Sequence, residues 1–161
     1  MVMAMTTDSL SLFLPDEAAT LACAAQLFQK VPPGSLVYLH GDLGAGKTTF
    51  VRGCLRATGY GGPVKSPTFT LVEEYVLNDR MLYHFDLYRL NDPEELEWMG
   101  IRDYFRADSC CFIEWPERGS GLLPAPDLEI RLVIEGAGRQ FSLRGSTEAG
   151  RSVVSALSGS V

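Results

Sequence analysis

Gly41-Asp42-Leu43-Gly44-Ala45-Gly46-Lys47-Thr48 fits the pattern G-x-x-x-x-G-K-[ST] at every fixed position. No other stretch restricts the possible folds as much, because the pattern carries its meaning only between a strand and a helix. Leu36-Val37-Tyr38-Leu39 supplies the apolar run ahead of it, and a helix-like segment with Val51, Cys54 and Leu55 on one face follows. Glycines let successive backbone N–H groups turn toward one phosphate. A helix starting near Lys47 adds the positive end of its dipole. Gly44, Ala45, Gly46, Lys47, Thr48 and Thr49 are therefore the candidate phosphate-binding residues. Lys47 is placed to reach the outer phosphates, and the Thr48 hydroxyl to bind Mg²⁺. The bland alternative is a glycine-rich turn before an ordinary helix. The flanking strand and helix argue against it.

Composition limits the rest. The 161 residues suffice for one domain with a real core and are few for two. Hydrophobic content of 46% and charged content of 21% are those of a globular protein. A net charge of −6 argues against a surface that holds nucleic acid unaided. There is no apolar run of membrane-spanning length, and residues 1–7 lack the pattern of a secretory signal. The cytoplasm is the expected compartment, and residues 1–7 read as a flexible tail ahead of one domain over 8–161. Cys23, Cys54, Cys110 and Cys111 form no C-x-x-C pair and lie in apolar context, so buried free thiols are expected.

The remaining patterns predict an α/β domain with a mixed parallel and antiparallel sheet flanked by helices. Ser9 to Leu14 reads as a strand. A helix then opens at Pro15-Asp16, with Ala18, Leu21, Ala22, Ala25 and Phe28 as its core stripe. A glycine- and proline-rich loop spans Gly59 to Pro67. Strand character resumes over Thr68 to Val72, and Asn78-Asp79 turns the chain into the strand Met81 to Asp86, which makes a hairpin. Asp92-Pro93-Glu94-Glu95 is a helix start with Glu95 at the capping-box position. Cys110 to Ile113 is a continuous apolar run of the central parallel type. Leu128, Ile130, Leu132 and Ile134 alternate with polar residues as one arm of a second hairpin, and a last helix covers Glu148 to Leu157.

A phosphate loop of this kind needs a carboxylate beside its metal, commonly at the end of a neighbouring strand. Glu114 ends the buried run, and Asp86 ends the Tyr83-His84-Phe85 strand. Each could also be a solvated strand-end carboxylate, and Arg89 could pair with Asp86 structurally. Pro116 forces the chain out of the sheet just after Trp115, which puts that ring at the carboxyl edge where α/β ligands bind. Thr68, in Lys65-Ser66-Pro67-Thr68, lies where a phosphate-loop protein can sense the γ-phosphate. His40 and His84 read as structural groups.

Together these segments resemble one family. The phosphate loop, Lys65-Ser66-Pro67-Thr68-Phe69-Thr70-Leu71-Val72-Glu73, His84-Phe85-Asp86-Leu87-Tyr88-Arg89, Asp92-Pro93-Glu94-Glu95-Leu96 and Ile113-Glu114-Trp115-Pro116 occur in that order. They are similar to the TsaE (YjeE) family, the small bacterial ATPase of tRNA threonylcarbamoyladenosine biosynthesis. The resemblance implies ATP/ADP and Mg²⁺ as cofactors and slow hydrolysis by the protein alone. It implies two partners, a threonylcarbamoyl transferase subunit and its inactive paralogue (TsaD and TsaB), with tRNA engaged through them and no membrane involved. It makes Thr48 and Glu114 metal ligands, with Lys47, Asp86 and Thr68 as catalytic residues. Whether Asp86 binds metal or positions water stays open. Trp115 lies beside the nucleotide, and the adenine end lies near Asp16-Glu17 and Gly138-Arg139. The alternative is a small phosphate-loop kinase acting on a metabolite. A kinase needs an acceptor pocket and a cationic lid, and no arginine-rich lid segment stands in the sequence.

Overall fold

Continuous apolar runs and alternating runs both form strands in this chain, and they join in one sheet. The computed structural model describes residues 3–5 and 8–159. Its strands are β1 (Met3–Met5), β2 (Ser9–Leu14), β3 (Leu36–His40), β4 (Val72–Val76), β5 (Met81–Asp86), β6 (Ser109–Glu114), β7 (Leu128–Glu135) and β8 (Gly138–Gly145). They lie side by side in the order β1-β2-β8-β7-β3-β6-β5-β4. The centre, β7-β3-β6-β5, is parallel, and both flanks are antiparallel. A mixed sheet flanked by helices is thus the observed class.

Four helices complete the layers: α1 (Glu17–Lys30), α2 (Lys47–Ala57), α3 (Glu94–Trp98) and α4 (Glu148–Ser158). Asp16 caps α1 by accepting from Ala19 N–H, and Thr147 caps α4 by accepting from Gly150 N–H. Ahead of α3 the Glu95 half of the expected capping box forms, with Glu95 Oε2 accepting from Asp92 N–H at 3.1 Å, while Asp92 Oδ1 accepts from Glu94 N–H. One core joins α1, α2 and α4 to one sheet face through Leu27, Phe50, Cys54, Phe112, Ile130 and Val154. A smaller core on the other face packs Phe85, Ile113, Leu96 and Ile101. All four cysteines are buried and free. No helix among the described residues is long and apolar enough to cross a membrane.

The structure corrects four expectations. The buried face of α1 is Thr20, Cys23, Ala24, Leu27 and Phe28, while Ala18 and Ala22 are exposed and Leu21 and Ala25 are half-buried. Alanines define a helix face poorly, and close packing against α2 chose the face instead. Residues 67–70 form a turn and not a strand, closed by Leu71 N–H donating to Pro67 O at 2.9 Å; the strand begins at Val72. Ile134 is half exposed, although it alternates with the buried Leu128, Ile130 and Leu132 of the same strand. Within the segment read as a tail, Met3–Met5 pairs antiparallel with β2 and takes the sheet edge; residues 1, 2, 6 and 7 lie outside the described residues.

Candidate nucleotide site

Alternation along adjacent parallel strands assembles the site. His84 and Asp86 point to one face of β5, and Phe112 and Glu114 point to the same face of β6. In register, Asp86 stands beside Glu114, and Glu114 beside Leu39 of β3. This is the face covered by α2. The loop after β3 returns there through Gly46, whose left-handed backbone (φ 102°) starts α2 at Lys47. The strand–loop–helix context is therefore present.

Lys47 is buried, with 6% of its surface exposed. Its ammonium donates to Gly41 O and lies 3.4 Å from Glu114 Oε1 and 5.0 Å from the Trp115 ring centre. Glu114 is equally buried, and its second oxygen, Oε2, meets His84 Nε2 at 2.6 Å. A buried ion pair of this kind is weak as a stability device, since desolvation of both charges offsets their attraction. Asp86 Oδ1 accepts from Tyr88 N–H at 3.0 Å, and Oδ2 accepts from the Thr68 hydroxyl at 3.3 Å. Burial raises the Asp86 pKa above the ordinary carboxylate value. The Glu114 charge adds to the rise, and the Tyr88 N–H, Thr68 and Lys47 oppose it. Arg89 does not pair with Asp86; its guanidinium lies 4.4 Å from the ring centre of Phe69.

Backbone strain flanks these carboxylates. Leu71 (φ 70°) and Trp115 (φ 55°) are the non-glycine residues with left-handed backbone among those described. Leu71 O accepts from Asp86 N–H at 3.0 Å, and Glu114 O accepts from Leu87 N–H at 3.1 Å. The loop carrying Thr68 is thereby tied to the end of β5, and the chain leaving β5 at Leu87 to the end of β6. Trp115 also packs against Tyr88, with ring centres 5.0 Å apart.

The other end of the site lies across the phosphate loop. Asp16, Glu17, Thr20, Ala45, Gly46, Thr49, Gly138 and Arg139 line one cavity of about 190 Å³. Arg139 bridges the two parts: Nε donates to Ala45 O at 2.8 Å and Nη2 to Gly44 O at 3.2 Å. The sequence marks Arg139 only as a polar interruption at a strand end, and pairing across 94 positions has no local signal. His84 also joins the site, although it reads in sequence as structural. Its one available clue is its place two residues before Asp86, on the same strand face.

The geometry brings together, beside the loop that opens α2, one buried ammonium, two buried carboxylates and the Thr68 hydroxyl. The family model described as "Threonylcarbamoyl adenosine biosynthesis protein TsaE" matches residues 14–141, which include every one of these groups. The chain belongs to the TsaE family. Family members named tRNA threonylcarbamoyladenosine biosynthesis protein TsaE include one from Haemophilus influenzae. It is 49% identical over 156 residues, covering 94% of this chain and 99% of that protein. One from Bacillus subtilis is 41% identical over 124 residues, covering 77% of this chain and 75% of that protein. The crystal structure of Bacillus subtilis YdiB superposes with a TM-score of 0.81 at 27% identity, covering 99% of this chain and 98% of that one.

Proposed function

We propose that this protein is a Mg²⁺-dependent ATPase that serves tRNA threonylcarbamoyladenosine synthesis as a nucleotide-controlled accessory of the transferase complex. The observation that carries the reading is the meeting of Lys47, Thr68, Asp86 and Glu114 under one phosphate loop, in a chain of the TsaE family.

The donor set suits Mg²⁺. Thr48 and Glu114 offer hard oxygens, and no group of three or more His, Cys, Asp or Glu able to hold a metal stands among the described residues. Mg²⁺ commonly takes one or two protein ligands and leaves its other positions to phosphates and water. When bound with the nucleotide it supplies neutralisation of phosphate charge. The chain's own groups do the rest. Backbone N–H groups from Gly44 to Thr49 hold the phosphates, and Lys47 exchanges Gly41 O and Glu114 for outer phosphate oxygens. Asp86, held by Tyr88 and Thr68, orients the attacking water. Its raised pKa suits it to accept a proton. Trp115 covers the phosphate side, and the Glu17–Arg139 cavity receives the nucleoside end.

Purified protein given ATP and Mg²⁺ is expected to release inorganic phosphate slowly, and faster once the transferase subunit and its inactive paralogue are added. Lys47→Ala should cut release about a hundredfold, the scale of losing one preorganised donor, with its circular dichroism unchanged. A folded Lys47→Ala protein hydrolysing at the wild-type rate would overturn the site. A phosphorylated metabolite in place of free phosphate would establish the kinase alternative.

A further inference from the structure

We infer that His84 is a positioning residue for Glu114: its Nε2–H holds one carboxylate oxygen, so that the other stays aimed at the phosphate loop when Lys47 leaves it. The inference rests on the nucleotide-site reading above and adds a residue to it.

His84 is fully buried, and Glu114 Oε2, at 2.6 Å, is its polar partner. Glu114 Oε1 faces the Lys47 ammonium, and a carboxylate can only accept. The proton on this contact therefore sits on His84 Nε2. Nδ1 is buried with no hydrogen-bond partner. A proton on Nδ1 would be an unmet buried donor, so of the two ring nitrogens Nε2 is the one placed to donate. A histidine kept only for packing would leave no reason to bury that bare nitrogen. The bond to Glu114 supplies one. Glu114 thus has the Lys47 ammonium 3.4 Å from Oε1 and His84 on Oε2. Phosphate binding draws Lys47 away from Oε1 and leaves Oε1 free. His84 then remains on Oε2 and keeps the side chain from rotating. Histidine–carboxylate contacts behind a metal-binding oxygen act in this way in other metal sites.

The test compares His84→Phe, which fills the space without a donor, with His84→Gln, whose amide can donate. Calorimetry of ADP binding is run with and without Mg²⁺, beside phosphate release. We expect His84→Phe to bind ADP normally without Mg²⁺ and to need about ten- to a hundredfold more Mg²⁺ for the metal-dependent gain, the usual scale for such a partner. kcat should fall while KM for ATP changes little, and His84→Gln should restore most of both. In a Glu114→Gln background His84→Phe should add little. If His84→Phe fails to fold, His84→Asn, whose amide is too short to reach, takes its place. Unaltered Mg²⁺ dependence in the donorless variant, or equal losses in His84→Phe and His84→Gln, would overturn the inference alone. A wild type whose ADP binding ignores Mg²⁺ would overturn the reading of the site and the inference with it.

Discussion

Asp86 shows how one residue's surroundings set both chemistry and stability. Its carboxyl is buried beside Glu114 in register, and burial is the largest cause of its raised pKa. An acid whose pKa is higher folded than unfolded binds protons more readily in the folded state. The resulting penalty on folding is absent below the ordinary carboxylate pKa. It develops as pH rises through that value and is complete above the folded-state pKa. Asp86→Asn should therefore raise Tm at pH 7, and the gain should disappear as pH falls toward the unfolded carboxylate value, while ATP hydrolysis is lost. Thermal melts of both proteins across that range give the comparison. A lower Tm for Asp86→Asn at pH 7 would mean that the bonds from Tyr88 and Thr68 outweigh desolvation. Such a site keeps a group that folding alone would discard.

At the scale of elements, α1 packs directly against α2 at Gly53. A Cβ there would lie 2.7 Å from Leu21 O and 2.8 Å from Ala24 Cβ. The backbone oxygen cannot rotate away. Gly53→Ala gains about 1 kcal/mol in helix propensity. Overpacking should cost more, about 1–3 kcal/mol, so the net change is a loss of stability. Each net kcal/mol lowers Tm by roughly 2–4 °C in a domain of this size. A differential scanning measurement showing a higher Tm would mean that the helices separate freely. The contact matters for function because α2 carries Lys47 into the site, and α1 carries Glu17 to the edge of the cavity that Arg139 and Thr49 also line. Of the predicted stripe on α1 only Phe28 is fully buried, for the same reason. Ala18, Ala22 and Ala25 suit a surface as well as a core, and the approach permitted by Gly53 selects Ala24. Where the pattern was a continuous apolar run, as in β6, burial on both faces was legible from the sequence.

The whole molecule is acidic, at net −6, so direct binding to the tRNA backbone would meet repulsion. Its proposed control point is the segment from Gly59 to Thr68, joined to Asp86 through the Thr68 hydroxyl. Beyond it Phe69 stands 83% exposed beneath Arg89, where a change in the loop reaches the surface. ATP-loaded protein should bind the transferase pair more tightly than the ADP-loaded or empty form. Calorimetry in the three states decides it, and equal affinities would exclude nucleotide control, because a ligand that does not discriminate between states cannot shift them. The phosphate loop, the alternating strands, the Asn78-Asp79 turn and the Glu95 half of the capping box at Asp92 all depend on near neighbours, and so the sequence by itself determined them. It also determined that Glu114 and Asp86 end strands, because an apolar run stops at each. Only the tertiary structure decided that these two stand side by side, that His84 meets Glu114, that Arg139 holds the carbonyls of Gly44 and Ala45, and that Met3–Met5 closes the edge of the sheet. Those contacts follow from strand order, with β7 inserted between β3 and β8. Strand order is a competition among whole-chain packings, and no local spacing encodes its outcome.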